Sequence, residues 1–407
     1  MWYPIRVFFL SLLIIGTAQA NNGANPVNAT STIVILTSFP ESFYTPIKQA
    51  FERTHPDISL RVLNKKTPAL IQHLNQRRSP FADMVWMSSS DAMATLKASG
   101  AIKQPLTFAW SQFGFFWHQE KLQSLGISAP NRWEDLLHPN FIDQIAISAP
   151  SRSGTNHLLI EIILQQYGWE KGWAYLNQLG GNLATVTARS FGVREGVIKQ
   201  RFTVGPVVDF FYRSAVAEGY PVGFQPVPNT PLIPAQIAMT NRENQSTSSQ
   251  VFVDFLLSNQ GQSLLSLPNV NRITLEQGRA IASTMPTPVF DPFLSAIRYQ
   301  TVNALFDEVV TNRLPELHSF WQKWALINTQ ALSVKDRKSL NAIYQQATQM
   351  PVHNEGASDE KFNNVLDANK KYTASFQSLT ESWRQQLHRN LTDANTGLDA
   401  LLYKDVE

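Results

Sequence analysis

The chain has 407 residues, enough for two or three independently cored domains, and no cysteine, so disulfides and thiolate metal centres are excluded. Its 34 basic and 31 acidic residues leave a formal charge of +3, and the basic ones form no long run, which gives nucleic-acid binding no support.

The opening segment reads as a secretory signal peptide. Arg6 precedes an apolar run from Val7 to Ile15, broken only by Ser11, and Ala18-Gln19-Ala20 places small residues at alternate positions before a cleavage site after Ala20. An apolar stretch of about ten residues is too short for a bilayer that needs roughly twenty. Without Arg6 the charge is +2. Export without a lipid-bearing cysteine predicts a freely diffusing periplasmic protein with no membrane anchor. Residues 21–31 are small and polar, a linker.

Beyond the linker, Thr32–Leu36 is an apolar, β-branched run of the kind buried on both faces of a sheet. Tyr44, Ile47 and Phe51 then share one helix face, Ser59–Leu63 alternates as a strand, Ala69–Gln76 is a helix and Asp83–Met87 a strand. Ser88-Ser89-Ser90-Asp91 offers caps for a helix that ends at Ser99-Gly100. This alternation predicts a doubly wound α/β unit. Phe113–Trp117 reads as a buried crossing strand into a second such unit. There the strand Gln144–Ser148 runs into a helix bearing Leu158, Leu159, Ile162 and Ile163, followed by a helix closed by Gly180-Gly181. Ser190 is expected to cap a further helix through Lys199, with strands at Phe202–Gly205 and Val222–Val227. The four prolines of Pro226–Pro234 suggest a stiff connector before a strand at Gln236–Thr240 and two short amphipathic helices. From Pro292 onward the pattern is helical. The expected domains are 32–112 with 235–290, then 113–234, then a helical extension at 291–407.

Enzyme signatures are missing: no phosphate-binding loop, no Gly-x-Ser-x-Gly elbow, no dinucleotide fingerprint, and no histidines at metal-ligand spacing. No cofactor is expected. Ser153 and His157 lie four apart, but no orienting acid accompanies them, so a hydrolase is the weaker reading. The strongest local signal is Ser151-Arg152-Ser153-Gly154-Thr155-Asn156, between a strand end and a helix start, where free backbone N–H groups and the helix dipole favour an anion. Thr37-Ser38, Ser88-Ser89-Ser90 and Arg189-Ser190 occupy equivalent places. Ligands of open α/β sheets bind outside the carboxyl ends of strands, and arginine grips phosphate or carboxylate with two parallel bonds. Arg152 and Arg189 are the expected charge partners. Ser153, Gly154, Thr155 and Ser190 would donate beside them, with Thr37, Ser38, Ser89 and Ser90 facing them from the first lobe.

By this point the chain resembles the type II periplasmic solute-binding proteins over residues 32–290. The resemblance implies two α/β lobes with doubly wound sheets linked by a hinge, here followed by an all-helical C-terminal extension. Val251–Gln262 looks like the late helix of the iron(III) and sugar-phosphate branch. Ser148–His157, Gly181–Val193 and Gly205-Pro206-Val207-Val208-Asp209 are similar to the phosphoglycerate transport regulatory proteins, which adds Asp209 to the candidate site. That similarity implies a monomeric binding protein that closes on a small phosphorylated organic acid, a phosphoglycerate or phosphoenolpyruvate, and acts through a membrane sensor kinase system. The alternative is the binding component of an ABC importer, docking on its permease and carrying sugar phosphates, phosphonates or iron(III). Iron-binding relatives place adjacent tyrosines where this chain has Asp209-Phe210-Phe211-Tyr212, and one phenolate makes a poor ferric site.

In the extension, Ser358 is expected to cap a helix whose apolar stripe runs through Phe362, Val365, Tyr372, Phe376, Leu379, Trp383, Leu387 and Leu391 to Gly397. Packing on the first lobe, or docking to a membrane sensor, would bury that stripe.

Overall fold

The computed structural model describes residues 31–76, 79, 81–242, 247–285, 290–367 and 370–402. The expected signal segment and nearly all of the linker lie outside the described residues. No helix among those described is long and apolar enough to cross a membrane.

Among the described residues, ten strands form two five-stranded sheets. The first holds β1 (Ser31–Thr37), β2 (Ile58–Asn64), β3 (Met84–Met87), β4 (Leu106–Ser111) and β10 (Ile233–Met239), in the order β2-β1-β3-β10-β4. Here β1 runs parallel to β2 and β3, and β10 is antiparallel to β3 and β4. The second holds β5 (Phe113–His118), β6 (Ile145–Ser148), β7 (Leu183–Thr187), β8 (Val204–Val208) and β9 (Val222–Pro226), in the order β7-β6-β8-β5-β9. Its β6, β7 and β8 are parallel, while β5 is antiparallel to β8 and β9. The same arrangement is thus built twice.

Helices cover both faces of each sheet, which is why the central strands read as continuous apolar runs rather than alternating ones. In β3, Met84 and Trp86 face a core with Phe43, Phe51 and Phe252, while Val85 and Met87 face Leu70, Met93 and Leu96. All four are fully buried. Two crossings join the lobes: Gln112 alone separates β4 from β5, and residues 227–232 separate β9 from β10. The proline-rich connector therefore contributes its ends to strands. The strand expected at Phe202–Gly205 lies two residues later, because Thr203 is instead tied to Gln144 by backbone and side chain. Gly168 turns the chain between the helices Gly154–Tyr167 and Trp169–Gly180 at φ +84°, a left-handed conformation that glycine adopts without strain.

The extension differs from its expectation in two ways. Asp359, not Ser358, caps the helix Glu360–Val365, accepting from the Phe362 N–H at 2.7 Å. The apolar stripe is also not one helix: the α-helix Glu360–Val365 ends in a turn at Leu366, and a separate α-helix runs over Ala374–Leu402, with Tyr372 87% exposed in a turn before it. The covering surface is the second lobe rather than the first. Trp383, Leu387, Leu366 and Val352 share one core with Phe113, Trp133, Ile145, Leu159 and Trp173. The short helix Pro292–Ile297 packs on the first lobe's helix Ser90–Ala98, so the extension touches both lobes.

Candidate functional site

Parallel strands end in loops that feed helix N-termini, and in both sheets these ends meet at one cleft of about 390 Å3. The loops after β1 and β2 bring Ser38, Phe39, Asn64, Lys65 and Lys66 to it, and those after β6 and β7 bring Arg152, Ser153 and Arg189. Five helices begin here: Glu41–Thr54, Thr67–Asn75, Gly154–Tyr167, Ser190–Ile198 and Asp209–Ala217. Four of them have no side chain capping the first turn, the exception being Gly154–Tyr167. Backbone N–H groups left open in this way favour an anion, and the helix dipoles add to the effect.

The lining carries five cations, Lys65, Lys66, Arg152, Arg189 and Arg272, and no carboxylate. None of the five makes an ion pair among the described residues. Asn156 arranges two of the hydroxyls, its Nδ2 donating to Ser153 Oγ at 3.1 Å and to Ser190 Oγ at 2.9 Å. Both hydroxyls accept from Asn156 and lie 3.5 Å from each other, so at least one of their protons is left for a ligand.

Of the eleven residues singled out from sequence, seven line the cleft: Ser38, Arg152, Ser153, Gly154, Thr155, Arg189 and Ser190. Ser190 is the first residue of its helix rather than a capping side chain. The other four do not line it. Thr37 is fully buried, donating to the Trp86 carbonyl at 2.7 Å and accepting from the Phe39 N–H at 3.1 Å, which ties β1 to β3. Ser89 turns inward to Asp91, so it leaves its own helix uncapped. Ser90 sits within the first turn of that helix, and Ser88 takes the place at the cleft. Asp209 is buried and paired with Arg213 at 2.8 Å, and burial raises its carboxyl above the usual range despite Arg213 and Arg272 nearby. Its neighbours Val208 and Phe210 line the cleft instead.

Residues 87–270 match the model of the bacterial extracellular solute-binding protein family. The phosphoglycerate transport regulatory protein PgtC of Salmonella typhimurium is 27% identical over 377 residues, 86% of this chain and 93% of that one. Among solved structures, the periplasmic binding protein AfuA of Actinobacillus pleuropneumoniae, with exogenous fructose-6-phosphate bound, is 18% identical. It covers 72% of this chain and 97% of its own, with a TM-score of 0.57. The apo ferric ion-binding protein A of Pasteurella haemolytica is 14% identical, covers 68% and 97%, and has a TM-score of 0.58. Over residues 87–270 the chain matches the solute-binding family, and its fold is that of the periplasmic binding proteins. Both of these solved structures are of binding proteins.

The imagined Ser153–His157 pair is not formed. His157 is fully buried and meets Asn303 Oδ1 at 3.0 Å, Ser295 Oγ at 3.4 Å and Asp91 Oδ2 at 3.4 Å, away from Ser153. That cluster is a junction where the first lobe (Asp91), the second lobe (His157) and the extension (Ser295, Asn303) meet.

Sequence reasoning missed Arg272, Lys65, Lys66 and Ser111. The two lysines just before Pro68 at a helix start were a readable signal. Arg272 and Ser111 had none.

The lobes touch beside the site. A Cβ placed on Gly154 would lie 2.6 Å from Ser89 Oγ and 2.9 Å from Thr67 Oγ1, both on the opposite lobe. Overpacking of this kind costs about 1–3 kcal/mol, so Gly154→Val should make the compact arrangement about 5–150-fold less populated. Small-angle scattering should report a larger radius of gyration, and anion titration a matching loss of affinity.

Proposed function

We propose that the cleft binds a small phosphorylated organic acid of the phosphoglycerate or phosphoenolpyruvate class, and that the protein signals its presence through a membrane sensor to a phosphoglycerate transport system. One observation carries the ligand half: five cations that form no ion pair among the described residues, and no carboxylate, line a cleft fed by five helix N-termini. Such a lining is repulsive to itself and becomes favourable when an anion enters. The volume, about 390 Å3, lies at the small end of ligand pockets and suits a molecule of few carbons. The regulatory half is supported by the similarity to the phosphoglycerate transport regulatory protein, which spans nearly all of that relative. Ligand contacts from both lobes would bias the hinge at Gln112 and 227–232 toward closure.

A second reading, the binding component of an importer for sugar phosphates, is favoured by the fold likeness to AfuA with its bound sugar phosphate. Ferric iron fits less well, since it prefers hard anionic ligands and the lining offers no carboxylate or tyrosine.

Calorimetry with phosphoenolpyruvate and 3-phosphoglycerate tests the ligand. Arg152→Ala or Arg189→Ala should each weaken binding by about 2–5 kcal/mol, the effect of removing one partner of a desolvated charge pair. Unchanged affinity in both variants would place the anion elsewhere. A transporter-expression reporter, silent with either variant, separates the regulator from the importer reading.

A further inference from the structure

We propose that Arg272 is the specificity-determining residue of the cleft, reading a carboxylate at its hinge end while the second lobe's helix N-termini hold the phosphate. The inference rests on the anion reading above.

Arg272 is 2% exposed, lines the cleft and makes no ion pair among the described residues. Burial pushes its guanidinium down to about 9, against the pull of Asp209. Asp209 Oδ2 itself accepts from Arg213 Nη2 at 2.8 Å. A buried cation without a carboxylate partner is costly to hold. Its geometry makes it a receptor. The guanidinium lies 3.6 Å over the ring of Phe210 from the second lobe, with Phe43 at 4.8 Å and Phe39 at 5.6 Å from the first. These rings fix the guanidinium, so polar recognition falls to its edge. Nη1 donates to the Val270 carbonyl at 3.0 Å, and buried Nε has no partner. A guanidinium edge whose Nε has no partner among the described residues matches a carboxylate with two parallel bonds.

A second orphan lies in the same lining. Ser111 Oγ, at the end of β4 beside the hinge residue Gln112, is buried without a partner. Val208, Phe210 and Ile233, also next to the crossings, complete this end. Arg152 marks the other end, since it also lines the neighbouring groove of about 890 Å3 against the extension. The cleft therefore has two cationic poles. The one at Arg152 and Arg189 has hydroxyls and two helix N-termini to match the three terminal oxygens of a phosphate. The pole at Arg272 has one fork, one hydroxyl and a single helix start, that of Asp209–Ala217, suited to the two oxygens of a carboxylate. A ligand with a single anionic group satisfies one pole only.

The test is a titration of wild type, Arg272→Gln and Ser111→Ala with 3-phosphoglycerate and with glycerol 3-phosphate, which lacks the carboxylate. Wild type should prefer 3-phosphoglycerate by about 100-fold, the order of one desolvated charge pair. Arg272→Gln should bring the two within about 3-fold by weakening 3-phosphoglycerate far more than glycerol 3-phosphate, which keeps the other four cations. Ser111→Ala, the smaller perturbation, should reduce the same preference in the same direction. Equal loss for both ligands would assign Arg272 to the phosphate and overturn the inference, as would unchanged affinities or a wild type without preference. If wild type binds neither ligand, nor inorganic phosphate, the anion reading itself fails.

Discussion

A chain ended after Pro351 is expected to lose its second lobe, with insoluble protein or a collapsed state without fixed aromatic packing as the outcome. The residues removed are interior parts of that lobe. Val352, Leu366, Trp383 and Leu387 share its core with Phe113, Ile145 and Trp173. Burial of a large apolar side chain contributes about 1.5–3 kcal/mol, so these four together match the net stability of about 5–15 kcal/mol of a whole domain. Polar groups would be stranded as well, because Trp169 Nε1 donates to the Val352 carbonyl at 2.9 Å in a buried setting. Near-ultraviolet circular dichroism and a urea melt would report the loss of packing, and anion binding should vanish with it. A soluble truncated protein with a cooperative melt would show that the extension is dispensable to the fold and free to serve as a docking element.

That outcome was hidden from the sequence for a physical reason. The stripe through Phe362 and Leu391 announces burial, but periodicity names no partner, and it counted through Tyr372, which sits in a turn. The lobes were far more legible. Runs such as Thr32–Leu36 and Phe113–Trp117 are buried on both faces and show it in composition alone. The turns at Arg152–Thr155 and Arg189-Ser190 were legible because a helix start is a local event. Hydroxyl direction is not local: Thr37 turns to the Trp86 carbonyl and Ser89 to Asp91, and pattern does not separate these from Ser38, which faces the cleft. Arg272 was invisible for a different reason. It follows an irregular segment and reaches the cleft because neighbouring Ile273 pairs with Trp110 of β4, a contact between residues on the two separate stretches of chain that build the first lobe.

Arg298→Met should destabilise the protein by about 3–5 kcal/mol, the usual consequence of leaving one member of a buried ion pair alone. Arg298 and Glu161 are 2% and 0% exposed, and their bond is bidentate: Nε to Oε1 at 2.8 Å and Nη2 to Oε2 at 2.8 Å. Nη1 donates to Asn354 Oδ1 at 2.8 Å, and the guanidinium sits 5.0 Å over Trp169. The arginine thus joins the extension to the helix Gly154–Tyr167 that presents Gly154 and Thr155 to the cleft. It also opens the helix Tyr299–Val309, whose Asn303 holds His157 at the junction with Asp91 of the first lobe. Methionine fills similar space but leaves the Glu161 carboxylate uncompensated. The double variant Glu161→Leu with Arg298→Met removes both charges, and apolar replacement of a buried pair is often neutral or stabilising. Urea denaturation should therefore give a low midpoint for the single variant and recovery in the double. If the double variant is as unstable as the single, the loss comes from the Asn354 bond and Trp169 packing, and the pair with Glu161 is not what fixes the extension. If it recovers stability but not anion affinity, orientation of the cleft's central helix depends on the charges themselves.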